Sequence, residues 1–136
     1  MGEAYNTPSE SRLFVSKSDK GWDLKKRTRT FALRCINLVN ALPNSDVGLV
    51  IGRQLLRSST SVGANYRAAS LAHSKASFVS KLSIVLEEAD ECCYWMDLII
   101  EAKLLSRTKV IDLYDEAVEL TKIFAASRIK ARASSN

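Results

Sequence analysis

The sequence has few of the residues that interrupt helices. Its 136 residues include two prolines, Pro8 and Pro43, and five glycines. Because these residues break regular structure, their scarcity predicts a mostly helical chain. It also lacks an apolar run near the roughly 20 residues of a membrane span, and its N-terminus has no signal-peptide pattern. We therefore expect one cytoplasmic domain with a single core and no membrane partner.

Histidine and cysteine are also scarce, which excludes several kinds of site. The three cysteines form no CxxC motif, so a zinc ribbon is excluded, and the adjacent Cys92 and Cys93 cannot bridge each other on a helix. Di-iron bundles need Glu-x-x-His on two helices, but His73 is the only histidine and Ser70 stands three residues before it. No catalytic triad or glycine-rich phosphate loop is present. We predict no metal site, no cofactor and no enzymatic activity, and we interpret the thiols as buried apolar groups.

Apolar residues instead recur at alternating steps of three and four, which is typical of amphipathic helices. The spacing predicts four helices over 23–42, 47–72, 75–104 and 108–129, with Ser74 and Thr108 as caps of the last two. The core faces that we expect on the first two are Leu24, Thr28, Phe31, Cys35, Leu38 and Leu42, then Leu49, Leu55, Leu56, Ser59, Val62, Tyr66 and Ala69.

Four such helices with short connections predict an all-α fold, an antiparallel up-down four-helix bundle. We expect the bundle to occupy residues 23–132. The polar segment 1–22 is predicted to be a flexible arm, and 133–136 a disordered tail.

The middle of the second helix consists of small and polar residues from Ser58 to Asn65. This stretch is a poor helix former by itself, so we expect tertiary contacts to hold it, with a neighbouring helix packed closely against it. Asn65 is interpreted as a structural hydrogen-bonding residue rather than a ligand contact. On the third helix, Glu88 and Glu91 lie one turn apart and can join a polar network, and Tyr94 and Trp95 are expected to pack.

Basic residues form groups that could bind a polyanion. The net charge is +5 and the pI about 9.2, which permits such a partner without requiring it. A cluster from Lys25 to Arg29 begins the first helix, where positive charge opposes the helix dipole, and Arg53, Arg57 and Arg67 lie on the second. Two interpretations remain open at this point: solvated helix faces, or one positive surface that binds nucleic-acid phosphates.

A set of short motifs also carries a family resemblance. The motifs are Ala41-Leu42-Pro43, Gln54, Arg57-Ser58, Thr60 to Arg67, Phe78, Lys81 to Ile84, Glu88-Ala89, Glu91 and Tyr94-Trp95. From Leu38 onward the chain resembles the four-helix-bundle proteins encoded within 23S ribosomal RNA intervening sequences. One departure is Ala68, where that family often has Glu.

The resemblance implies a homopentamer. It also implies kinship with the accessory variability protein of diversity-generating retroelements, which binds nucleic acid and a reverse transcriptase through a basic surface. The residues that it suggests for nucleic-acid binding here are Lys25, Lys26, Arg29, Arg53, Arg57 and Arg67.

Two functions follow as hypotheses. The first is a non-enzymatic oligomeric bundle that binds RNA or DNA with little sequence preference. The alternative is a protein-interaction scaffold or accessory subunit with no direct nucleic-acid role, which presents its outer face or the arm, with Phe14 and Trp22 as anchors, to a protein partner.

Overall fold

Four helices account for nearly all of the described chain. The computed structural model describes residues 19–134, with side chains from Asp23 onward. The helices are α1 (Asp19–Asn40), α2 (Asp46–Ser70), α3 (Lys75–Glu101) and α4 (Arg107–Ala133), and no strand occurs between residues 19 and 134. The predicted all-α four-helix bundle is confirmed.

The helices pack in chain order. Consecutive helices make the extensive contacts, whereas α1 and α4 touch only briefly. Thr28 of α1 lies against Gly63 of α2, and Val39 and Leu42 lie against Gly52, so these two helices run antiparallel. Between α3 and α4, Lys75 bonds to Ser134 and Ser83 to Arg128, which gives the same antiparallel relation.

The predicted arm and tail fall largely outside the described residues. Residues 1–18, including Phe14, and 135–136 are not described, and neither is the side chain of Trp22. Helix α1 begins at Asp19, four residues earlier than the periodicity indicated, and α4 continues to Ala133. The flexible arm stays a prediction.

Capping explains where α2 and α3 begin. The Ser45 hydroxyl accepts a hydrogen bond from the Gly48 amide at 3.1 Å, and the Ser74 hydroxyl accepts one from the Ser77 amide at 3.0 Å. Both are side-chain caps that satisfy amides with no partner in the first turn. Ser74 is therefore confirmed as the cap of α3. The prediction that Thr108 caps α4 is wrong, because α4 begins at Arg107 and Ser106 precedes it.

Helix α3 ends three residues before the predicted boundary through a turn with no glycine. Lys103 has φ 58°, in the left-handed region. The Lys103 amide donates to the Ile100 carbonyl and the Leu104 amide to the Ile99 carbonyl, each at 3.0 Å. This is the hydrogen-bond pattern of a Schellman motif, whose left-handed position is usually glycine.

The core follows the predicted faces closely. Thr28, Phe31, Cys35 and Leu38 are buried on α1. Across the bundle, the Tyr66 and Phe124 rings pack with centroids 5.3 Å apart. Burial raises the pKa of Cys35 to about 12 and also raises that of Cys92, so both thiols stay protonated at neutral pH.

Two residues expected in the core are exposed. Leu49 and Leu56 keep 44% and 37% of their surface accessible. The buried positions of α2 are Gly48, Gly52, Leu55, Ser58, Ser59, Val62, Tyr66, Ala69 and Ser70. The core face is therefore built around small residues, and the two leucines lie to one side of it.

Small residues on α2 let its neighbours approach closely. A Cβ atom added at Gly63 would lie 3.2 Å from Thr28 Oγ1. The fully buried Ser58 donates its hydroxyl to the Gln54 carbonyl at 3.0 Å, and Ser59 donates to the Leu56 carbonyl at 3.3 Å. Because these hydroxyls find partners within their own helix, they can be buried at little cost.

Candidate functional site

Charge is distributed unequally among the four helices. Helix α1 has six basic and two acidic residues, and therefore a net charge of +4. Helix α2 adds three basic residues and one acidic residue, whereas α3 has two basic and six acidic residues. Helix α4 is mixed, with six basic and four acidic residues. The adjoining helices α1 and α2 are thus positive, and α3 is negative.

Four of the predicted nucleic-acid-binding residues lie at one end of the bundle. Lys25, Lys26 and Arg29 flank Thr28, which contacts Gly63, and Arg67 follows Gly63 by one helical turn. We call these four residues the basic end. Lys26, Arg29 and Arg67 are exposed, and none of the three forms an ion pair within residues 23–134.

Arg53 lies apart from the basic end. Its neighbour Gly52 packs against Val39 and Leu42, where α1 ends. Gly52 and Gly63 are eleven residues apart on α2, or about 16 Å along the helix axis. The structure therefore does not bring Arg53 together with Lys25, Lys26 and Arg29.

Arg57 is engaged by α3 instead of facing solvent freely. Its Nη1 donates to Glu88 Oε1 at 3.1 Å, and its Nη2 donates to Glu91 Oε2. Its Nε donates to Gln54 Oε1 at 3.4 Å. The hydrogen bond to Glu91 is the main reason that the pKa of Arg57 is raised above its usual value. Two carboxylates already neutralise this guanidinium, so it is a poor candidate for a phosphate contact.

Glu91 also accepts a hydrogen bond from an aromatic residue of its own helix. Trp95 Nε1 donates to Glu91 Oε2 at 2.9 Å. The exposed Tyr94 ring packs edge-on against the Trp95 ring, with centroids 4.9 Å apart. We call Gln54, Arg57, Glu88, Glu91 and Trp95 the α2–α3 network. This network connects α2 to α3, and all of its residues belong to the motifs on which the family resemblance rests.

Burial alone raises the pKa of Glu91, but the hydrogen bonds from Trp95 and Arg57 outweigh it and lower the pKa. A carboxylate with a depressed pKa in the folded state stabilises the fold above its unfolded pKa of about 4.3. That stabilisation is lost as pH falls through the folded pKa. At pH 7, Glu91→Gln should lower the free energy of unfolding by about 1 kcal/mol, because a half-exposed ion pair and one hydrogen bond weaken.

The measurement is urea unfolding of wild type and variant from pH 7 to pH 3. The difference in unfolding free energy should shrink toward zero at the acid end. Glu87→Gln is the matched control, because Glu87 is exposed on the same helix and forms no ion pair in the described part of the chain. A constant difference across this pH range would contradict the role given to the Glu91 charge.

Asn65 is half-buried and donates from Nδ2 to the Ser61 carbonyl at 2.9 Å. The partner is in the same helix, so the bond supports α2 locally and does not join two helices.

One ion pair had no signal in the sequence. Arg27 Nε donates to Glu116 Oε2 at 2.7 Å, and Arg27 Nη2 donates to Glu116 Oε1 at 2.9 Å. The two residues are 89 positions apart and connect α1 to α4. This hydrogen bond to Glu116 is the largest cause of the raised pKa of Arg27.

Other kinds of site find no support between residues 23 and 134. No three His, Cys, Asp or Glu side chains in that range are grouped to hold a metal ion. No helix in the described region combines the length and apolar character that crossing a bilayer requires.

Comparison with known proteins agrees with the architecture. The profile of the 23S rRNA-intervening sequence protein family matches residues 20–126. A crystal structure from Bacteroides thetaiotaomicron VPI-5482, of a protein with unknown function from the S23 ribosomal protein family, is 36% identical with a TM-score of 0.72. The match covers 77% of this chain and 97% of that one. No curated protein matches the chain. Neither description names an enzymatic activity, and the chain belongs to the 23S rRNA-intervening sequence protein family.

Proposed function

We propose that this protein is a non-enzymatic, cytoplasmic bundle that binds RNA or DNA through the basic end, with little sequence preference. The observation that supports this is the concentration of charge on α1, whose net charge is +4. Helix α1 begins at Asp19, so Lys25, Lys26 and Arg29 lie in its second and third turns rather than in the first turn, where the dipole acts. Phosphate oxygens are the groups that such a concentration of positive charge attracts.

The positions of the six candidate residues in the structure leave four of them for one binding surface. Arg57 is held by Glu88 and Glu91, and Arg53 lies at the other end of α2. The proposed surface therefore comprises Lys25, Lys26, Arg29 and Arg67. Contacts of this kind address the phosphate backbone, which is the same for every sequence.

Oligomerisation would raise the affinity for nucleic acid above that of a single protomer. A homopentamer, which the family resemblance implies, would present five basic ends to one strand, and linked sites gain affinity through a raised effective concentration. The pentamer is part of this proposal. Size-exclusion chromatography with light scattering measures it directly.

The experiment that tests the function is fluorescence anisotropy of a labelled mixed-sequence RNA, and of the matching single- and double-stranded DNA, over a range of salt concentrations. We expect log affinity to fall linearly with log salt, with a slope near 0.7 per phosphate contact for single strands. The absence of binding to all three at low salt would contradict the proposal.

A second candidate function, a scaffold for a protein partner, is favoured by one face of α3. Its exposed residues Glu87, Asp90, Tyr94, Asp97 and Glu101 follow steps of three and four and form one stripe. The Tyr94 ring, 56% exposed at the centre of four carboxylates, would suit a basic apolar segment. Calorimetry with a lysine- and leucine-rich peptide, compared between wild type and Tyr94→Ser, separates this role from nucleic-acid binding.

A further inference from the structure

A shallow depression lies between α1 and α4, on a different side of α1 from α2. It has a volume of about 300 Å³ and is lined by Asp23, Lys26, Arg27, Thr30, Phe31, Arg34 and Glu116. The nearly fully buried Phe31 ring forms its floor. The depression exists because α1 and α4 make few contacts with each other. Its volume is at the lower end of the range for ligand pockets.

The charges in the depression do not cancel. Both oxygens of Glu116 accept hydrogen bonds from Arg27, so this carboxylate is already matched. Asp23 remains as the one opposing charge. Lys26 and Arg34 are exposed and form no ion pair within residues 23–134. An incoming anion would therefore meet two unpaired cations.

Thr30 lies between those cations and has an unused hydroxyl. Thr28, Thr60 and Thr121 each donate to a carbonyl of their own helix at 2.8 Å. The Thr30 hydroxyl makes no such bond in the described structure, although it has the same helical setting. A free hydroxyl flanked by a lysine and an arginine can donate to a phosphate oxygen.

The spacing fits several phosphates in sequence. Lys26, Thr30 and Arg34 follow each other at intervals of four residues, so Lys26 and Arg34 are about 12 Å apart along the axis. Neighbouring members of the row are therefore about 6 Å apart along the axis. This is close to the distance between adjacent phosphates along one strand, so each member can reach its own phosphate.

We propose that the α1–α4 depression is a phosphate-binding track, in which Lys26, Thr30 and Arg34 contact successive phosphodiesters of one nucleic-acid strand. The two hydrogen bonds that Arg27 donates to Glu116 join α1 to α4 beside this row. The track rests on the proposed function and extends the basic end from Lys26 to Thr30 and Arg34, which the family resemblance did not suggest.

The test is the double variant Lys26→Gln/Arg34→Gln, measured by anisotropy with the labelled RNA. Loss of two single-strand contacts should reduce the salt slope by about 1.4 and the affinity by about 25-fold at about 0.1 M salt. Thr30→Val should weaken binding a few-fold with no change in slope. Circular dichroism establishes that the variants are folded, as expected at exposed positions.

The matched control is Arg53→Gln/Lys103→Gln, which removes two exposed cations from the other end of the bundle. Its salt slope should stay that of the wild type. Equal slopes for the two double variants, with normal wild-type binding, would overturn the track and leave the proposed function intact. A wild type that binds no nucleic acid refutes the proposed function itself. In nitrogen–proton correlation spectra, added RNA should shift the Thr30 and Arg34 amides, and unmoved amides there would again refute the track.

Discussion

Gly63→Leu should lower the free energy of unfolding by about 3 kcal/mol, at the upper end of the usual cost of overpacking. Even a single added Cβ would lie 3.2 Å from Thr28 Oγ1 and 3.5 Å from Thr28 Cβ. Thr28 is almost fully buried, and its hydroxyl is bonded to the Leu24 carbonyl. It therefore cannot turn away, and a leucine fits only if α1 moves.

The damage should concentrate in α1. This helix packs mainly on α2 and only briefly on α4, so displacement from Gly63 leaves it with little other support. Hydrogen exchange should show faster exchange of α1 amides than of α3 amides in the variant, because local opening follows lost contacts.

Ala64→Leu is the matched control. Ala64 is adjacent in sequence and exposed, so the same side chain there points to solvent and should change stability by less than about 0.5 kcal/mol. Similar midpoints for the two variants in urea unfolding would show that α1 and α2 are not held at the close distance described.

Arg29→Glu/Arg67→Glu should reduce the affinity for RNA by more than about 100-fold at about 0.1 M salt. The loss of two phosphate contacts lowers the affinity by about 25-fold, and the two new carboxylates repel the phosphates and lower it further. Both arginines are exposed, and neither has an ion-pair partner within residues 23–134, so the fold should tolerate the change. Anisotropy with the labelled RNA measures the loss.

The corresponding control reverses Arg53 and Lys103, and so makes the same change in net charge at the other end. It should lose affinity far less, because only the overall field changes. An equal loss in both variants would mean that net charge alone governs binding. The surface formed by Lys25, Lys26, Arg29 and Arg67 would then have no special role.

Much of the fold could be predicted from local periodicity. The seam from Thr28 to Leu38 is buried as expected, because steps of three and four identify the centre of a helix face. The same steps do not define how wide the buried face is, and Leu49 and Leu56 were therefore wrongly assigned to the core. The end of α3 was missed because Lys103 takes a left-handed position that glycine usually marks.

The pairing of charges could not be predicted in the same way. Arg57 was predicted to bind nucleic acid together with Arg53 and Arg67, yet its partners Glu88 and Glu91 are 31 and 34 residues away. The bond between Arg27 and Glu116 spans 89 residues. Such contacts depend on which helices become neighbours and how they are rotated, and local periodicity in a single sequence reveals neither.

The distribution of charge also gives the molecule a direction. Because α3 contacts α2 and α4 but has no extensive contact with α1, the acidic α3 and the most basic helix, α1, lie on opposite sides of the bundle and give it a permanent electric dipole. During approach, the electric field of a polyanion would orient the protein so that α1 faces the polyanion. If this protein coated a nucleic-acid strand through α1, the carboxylates and Tyr94 of α3 would face outward. The coated strand would therefore still present a negative surface to other molecules.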